Sequence, residues 1–321
     1  MSKKSLFKFL KIALPLFLGV FLIWFSYNKF TPEQIQEIKS YFKQADYSFV
    51  ILSIVFGILS NLSRAWRWNY LLDPLGYKTR FYNNVMAVYI TYLMNLFIPR
   101  SGEISRAVVI SKYENIPFDK VIGTVISERL ADAFVLLTFI FVTLILQFPI
   151  LSEYFSTHLN LTQIYRMLAV LTFLGLLAFY FIFIANHSFS KKIRHFLRGL
   201  KEGVLSIVKM KHKWAFIGHT LFIWLMYVAM FYVMIFALKE TSNISAAGIL
   251  CAFVAGGVTI TLTNSGFGSY PFVIAGILLL FNIPETTGTA FGWLVWSAQT
   301  LSVIVFGGLS FLLLPVFNKI K

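Results

Sequence analysis

The chain has 321 residues, of which 58% are hydrophobic, 18% aromatic and only 13% charged, a balance far from that of a soluble domain. A single water-soluble core is excluded because many apolar residues fall in unbroken runs near the roughly 20 residues a bilayer-spanning helix needs; a β-barrel is disfavoured because period-two alternation is absent. The formal net charge of +15 would suggest nucleic acid in a soluble protein, but here Lys and Arg cluster between apolar runs, as cytoplasmic loops do, so no nucleic-acid partner is expected.

Taken in order, Lys3, Lys4, Lys8 and Lys11 precede an apolar stretch ending near Trp24 and Phe25. No small-residue cleavage site follows, which reads as an uncleaved first helix with a cytoplasmic N-terminus. Further segments fall at roughly 48–71, 82–99, 118–147, 164–186, 214–238, 245–263, 270–282 and 287–314. The expected fold is all-α: a polytopic transmembrane bundle of about eight spans, one domain over 1–321. Arg64, Trp66, Arg67 and Trp68 close the 48–71 segment, where an aromatic belt and snorkelling basic side chains belong, so that end is expected at the cytoplasmic face.

The linker about 187–213 carries Lys191, Lys192, Arg194, Arg198, Lys201, Lys209, Lys211 and Lys213 against Glu202 alone. Ile193, Phe196, Leu197, Leu200, Val204, Ile207 and Val208 recur at helical spacing in it. An amphipathic helix on the anionic leaflet and an ordinary inside loop both fit.

Charge parity then constrains the path. With Arg80 and Lys120 both inside, the chain between them must enter the membrane and return. Pro99 and Gly102 supply the break, and Ser101, Glu103 and Ser105 suit the start of a short second helix. A second break follows at Asn264, Gly266, Gly268 and Pro271, with Pro271 in the first turn of a new helix. Two interrupted segments at comparable places in the two halves are the pattern of transporters built from internal repeats.

Charged residues gather near the first break: Arg100, Glu103 and Arg106, then Glu128, Arg129 and Asp132 within an apolar stretch. Ionisable groups at membrane depth need partners. They fit two roles: salt bridges that hold the re-entrant segment, or arginine forks for a phosphate or carboxylate on a lipid headgroup. His158, His187, His195, His212 and His219 lack metal-ligand spacing, and Gly266-Phe267-Gly268 lacks the context of a dinucleotide fingerprint, so neither a cofactor nor enzymatic chemistry is expected. Cys251, the one cysteine, permits no disulfide.

Pro99-Arg100-Ser101-Gly102-Glu103-Ile104-Ser105-Arg106 resembles the Pro-x-x-Gly-acid-x-x-Arg run of the flippase-like transmembrane domain of lysylphosphatidylglycerol synthases. Glu128-Arg129-Leu130-Ala131-Asp132 resembles that family's Glu-Arg-x-x-Asp helix, and the glycines at 266 and 268 its third motif, although Ser269-Tyr270-Pro271 stands where members commonly carry Arg-Glu. The resemblance implies translocation of a lipid between leaflets of the inner membrane: a phospholipid, glycolipid or polyprenyl phosphate conjugate. Arg100, Arg106 and Arg129 would contact the anion, with Gly102, Glu103, Glu128 and Asp132 completing the headgroup site and Pro99, Asn264, Gly266, Gly268 and Pro271 acting as hinges. The alternative is a non-transporting accessory protein for an envelope-lipid or lipid-linked glycan enzyme.

Overall fold

The computed structural model describes residues 17–148, 161–184, 190, 191, 194 and 210–318. The linker expected at about 187–213 therefore lies largely outside the described residues, as do the N-terminal lysines. Helices make up the described structure, with no strand among the described residues. Two compact units separate, one formed by Met1–Glu128 with Trp214–Lys321 and the other by Arg129–Lys213.

In the first unit, helix α1 (17–29) leads into α2 (Pro32–Gln44). The sequence reading placed no element at α2, yet its signal is legible. Thr31 accepts from the Gln34 amide, the Gln34 side chain accepts from the Thr31 amide, and Pro32 opens the first turn, a complete capping box. With a polar average, α2 is not a span but a helix packed against the start of the long final helix, where Lys29 pairs with Glu285 at 2.7 Å. Thr31→Ala is expected to remove about 1 kcal/mol from this helix; hydrogen exchange at the 33–35 amides should accelerate while the spanning helices are unchanged.

Helix α3 (Tyr47–Arg67) continues through α4 (Asn69–Leu72). Its N-cap Asp46 accepts from the hydroxyl and amide of Ser48, which holds that carboxyl below its usual range. Antiparallel to it runs α9 (Lys213–Met234). The register is fixed by the Asp46 amide on the Ala237 carbonyl, the Ser53 hydroxyl on the Met230 carbonyl, and Ser63 against His219.

Between these come α5 (Phe81–Phe97), α6 (Gly102–Glu114) and α7 (Phe118–Leu146), then α8 (Leu161–Phe179) with a π-turn at Tyr180–Ile184. After α9 follow α10 (Ala246–Leu262), α11 (Ser269–Leu279) and α12 (Glu285–Phe317). The second unit, described by itself, holds the later part of α7 and all of α8. Phe134, Leu137 and Phe141 are exposed there, as lipid-facing side chains are.

Four helical stretches among the described residues are long and apolar enough to cross a membrane: Tyr47–Leu75, Phe118–Leu146, Lys213–Ala237 and Glu285–Phe317. These account for four of the expected segments, and 164–186 corresponds to α8. The segments expected at 82–99, 245–263 and 270–282 are something else. With 17 and 13 residues, α5 and α6 reach about 25 and 20 Å, short of a hydrocarbon core of about 30 Å. They fold back on each other: Arg80, before α5, donates to Glu114 and to the Tyr113 carbonyl at the end of α6. This is a re-entrant hairpin, and it satisfies the charge-parity argument.

Helices α10 and α11, of 17 and 11 residues, repeat the design. Gly248 packs against Phe281 and Gly256 against Tyr270, so the pair is antiparallel. The long α12 supports both hairpins. Its first half meets α11, with Gly288 on Ala275 and Gly292 on Pro271; its second half meets α5, with Gly307 on Leu93 and Asn318 exchanging hydrogen bonds with Asn83. The open ends of the hairpins lie at opposite ends of α12, so they enter from opposite faces and their tips converge at its middle. Each half of the chain thus runs spanning helix, half-helix, break, half-helix, long helix, and the antiparallel α3 and α9 begin the two halves in opposite directions, as inverted repeats do.

Candidate functional site

The tips meet through side-chain bonds to carbonyls that helix α5 leaves unsatisfied at its C-terminal end. Asn264 donates from its amide to the Leu96 carbonyl at 3.1 Å, and Ser265 from its hydroxyl to the Asn95 carbonyl at 3.3 Å. The Trp296 indole, from the middle of α12, donates to the Ser265 carbonyl at 2.9 Å. Backbone turns at both tips are left-handed: φ is 62° at Arg100, 53° at Ser265, 77° at Gly266 and 66° at Gly268. At Gly268 the conformation and the space both demand glycine, because an added Cβ would strike the Gly19 carbonyl of α1 and lie 2.9 Å from Ile23.

Ser101 does not cap α6 as the sequence suggested. Its backbone is already helical, which turns the hydroxyl back to donate to the Met94 carbonyl of α5 and the Ile98 carbonyl just past its end, and the α6 amide at Gly102 is instead taken by the Asn95 side chain at 2.8 Å. The first break is thus closed by its own polar residues.

Four residues into α6, Arg106 points into the unit's interior and meets Glu128 of α7 in a two-bonded fork, Nη1 to Oε1 and Nη2 to Oε2, both 3.0 Å. Arg64 donates to the same carboxylate at 2.7 Å and to the Tyr227 hydroxyl at 3.0 Å, while Arg67 lies 3.5 Å from it and donates to Thr220 at 2.8 Å. All four charged side chains are essentially inaccessible to solvent. The Arg106 guanidinium lies 3.7 Å from the Trp68 ring centroid, and Trp68 is itself held by its indole N–H on Thr124. A planar fork stacked on an aromatic face is arginine chemistry that lysine cannot reproduce.

Arg64 and Arg67 are therefore corrected: the sequence reading put them at the interface with their heads in water, whereas they turn inward, and Trp68 with them, while Trp66 stays exposed as expected. The signal was present. Ser53, Gly57, Ser60, Ser63 and Arg67 recur every three or four residues and are buried, a small and polar stripe that in a membrane helix marks the face packed on its neighbours. Tyr227 and Thr220 of α9 had no sequence signal, because only tertiary packing brings them to the arginines.

The other anticipated residues divide. Gly102 is buried at the tip, Pro99 half-buried and Arg100 exposed beside it; Glu103 is half-buried and partnered. Arg129 and Asp132 follow Glu128 on the same helix, half-buried and partnered, in the second unit. Asn264 is buried at the tip junction, with Gly266 and Gly268 buried beyond it, and Pro271 packs on Gly292.

Comparison with known proteins bears on what this architecture belongs to. A UPF0104 membrane protein of Methanocaldococcus jannaschii is 27% identical over 278 residues, covering 75% of this chain and 77% of that protein. A UPF0104 membrane protein of Pyrococcus horikoshii is 26% identical over 168 residues, 51% of this chain and 48% of that one. No solved structure matches. The sequence profile described as the lysylphosphatidylglycerol synthase TM region matches residues 12–308, a range that takes in both hairpins, the arginines, Glu128 and most of α12, and the chain belongs to that family of multi-pass membrane proteins.

Proposed function

We propose that this protein moves a lipid with an anionic or zwitterionic headgroup between the leaflets of the inner membrane, making and breaking no covalent bond. The observation that carries the reading is the buried set of Arg64, Arg67 and Arg106 around the Glu128 carboxylate, beside a hairpin whose tip touches its inverted counterpart. A phosphate presents paired oxygens to an arginine fork as a carboxylate does. A headgroup phosphate exchanging with Glu128 would keep the guanidiniums satisfied and free the carboxylate for a cationic headgroup part. The hairpins enter from opposite faces and are joined at their tips by a few side-chain bonds, so shifting one against the other alternates exposure. The face bearing Arg80, Lys112 and Lys120 is assigned to the cytoplasm, with the N-terminus on that side.

Full-length protein in liposomes with fluorescent phosphatidylglycerol, a glycolipid and a polyprenyl phosphate lipid tests this by quenching of the outer leaflet. One of them should cross, and Arg106→Lys, which keeps the charge but loses the fork and the stack, should slow it by about tenfold or more. If none of the three crosses, the proposal fails. A non-transporting scaffold for an envelope-lipid or glycan enzyme is favoured by one observation, that the Arg106 fork is already filled by Glu128; under it, Arg106→Lys leaves capture of the partner enzyme unchanged and no lipid moves.

A further inference from the structure

An apolar groove of about 590 Å³ opens between α3 and α9 beside the start of α5, a size within the range of about 300–1,000 Å³ of small-molecule sites. Leu59, Leu62, Phe81, Ala215 and Phe222 contribute its apolar wall, and Trp66 forms its rim. From Trp66 to Leu59 it runs about 10 Å along the helix axis. Both walls belong to helices of membrane-spanning length and hydropathy, so the medium it meets along its length is the bilayer. Trp66 is half exposed at one flank and Trp214 largely exposed at the other, where amphipathic rings sit at headgroup level.

Two details are specific. One polar pair interrupts the wall, the Ser63 hydroxyl 2.8 Å from His219 Nδ1. When Ser63 donates to Nδ1, Nε2 carries the proton, giving a hydrogen-bond donor set in an apolar trough. Gly218, midway along the α9 wall, is exposed, and a Cβ built on it would find no atom within 4 Å. The groove also backs onto the arginine set: Ser63 precedes Arg64, and His219 precedes Thr220, the acceptor for Arg67.

We infer that this groove holds the upper part of one acyl chain of a phospholipid, with His219 Nε2–H donating to its ester carbonyl. Hydrocarbon fits the wall, an ester oxygen fits the lone donor, and the aromatic rims place the glycerol at the level of the groove mouth. The inference rests on the membrane reading of the fold and deepens the proposed function by naming where a lipid waits beside the arginines.

The test uses the full chain in nanodiscs containing a phospholipid with a diazirine in its acyl chain, irradiated and mapped by peptide mass spectrometry. Residues 59–66 and 215–222 should label about tenfold above 301–312 of α12, whose Leu301, Leu309, Phe311 and Leu312 are ordinary exposed apolar side chains. Gly218→Trp projects into the groove from a position where an added Cβ meets no atom within 4 Å and should abolish that excess; Leu59→Trp does the same from the other wall, and His219→Phe should reduce it. Equal labelling of the groove and α12, annular lipid only, overturns the inference, as does an excess that survives both tryptophans. Labelling needs no translocation, so a chain that labels here yet moves no lipid refutes transport and leaves the groove standing.

Discussion

Glu128→Leu is expected to destabilise the protein by about 3–5 kcal/mol, the range for stripping one partner from a buried ion pair. Three arginines converge on this carboxylate within 2.7–3.5 Å, and neither it nor they reach solvent. Leucine matches the volume but returns nothing to guanidiniums that have left water. Thermal unfolding in detergent should show the loss, with reduced recovery of folded protein. Glu128→Asp keeps the charge but is one methylene shorter, cannot hold both Arg106 bonds, and should fall between. Pairing Glu128→Leu with Arg106→Leu separates interaction from desolvation: the double variant should lose clearly less than the sum of the two singles, because removing both partners removes a buried charge from each side. A Glu128→Leu protein within about 1 kcal/mol of the parent would mean that the cluster is not what ties α3, α6 and α7 together.

Gly102→Leu should open the first hairpin and, through it, the contact with the second. A Cβ at 102 would run into the Thr91 carbonyl and lie 2.7 Å from the Asn95 amide nitrogen. Overpacking of this kind costs about 1–3 kcal/mol. Here it also dislodges Asn95, whose side chain takes the Gly102 amide and whose carbonyl accepts from Ser265. Hydrogen exchange should therefore quicken at 95–102 and also at 263–268, which the substitution does not touch, and lipid movement should stop. Faster exchange confined to the start of α6 would show that the tips are not mechanically coupled.

Some of this could be read from residue order. Unbroken apolar runs give spanning helices because the bilayer offers a backbone no other hydrogen-bond partners, and α3, α7, α9 and α12 fall where those runs lie. The glycines at 266 and 268 mark a turn because few residues adopt left-handed backbone, Pro99 marks the other because it donates no N–H to continue a helix, and both breaks sit there. Even α2 is written in Thr31, Pro32 and Gln34, although its polarity does not resemble that of a span.

Other features exist only in three dimensions. Arg64 and Arg67 have the same composition and spacing whether they snorkel to water or turn inward; what decides is a carboxylate 64 positions along the chain from Arg64, delivered by another helix. Likewise, Asn264 beside Leu96 joins positions 168 residues apart. Local sequence thus determined which segments lie in the membrane and where the backbone must break, since burial and turn geometry are short-range. Only the tertiary structure decided that the breaks meet tip to tip at the middle of α12, and that three arginines share one glutamate, since each needs partners whose proximity no local pattern encodes.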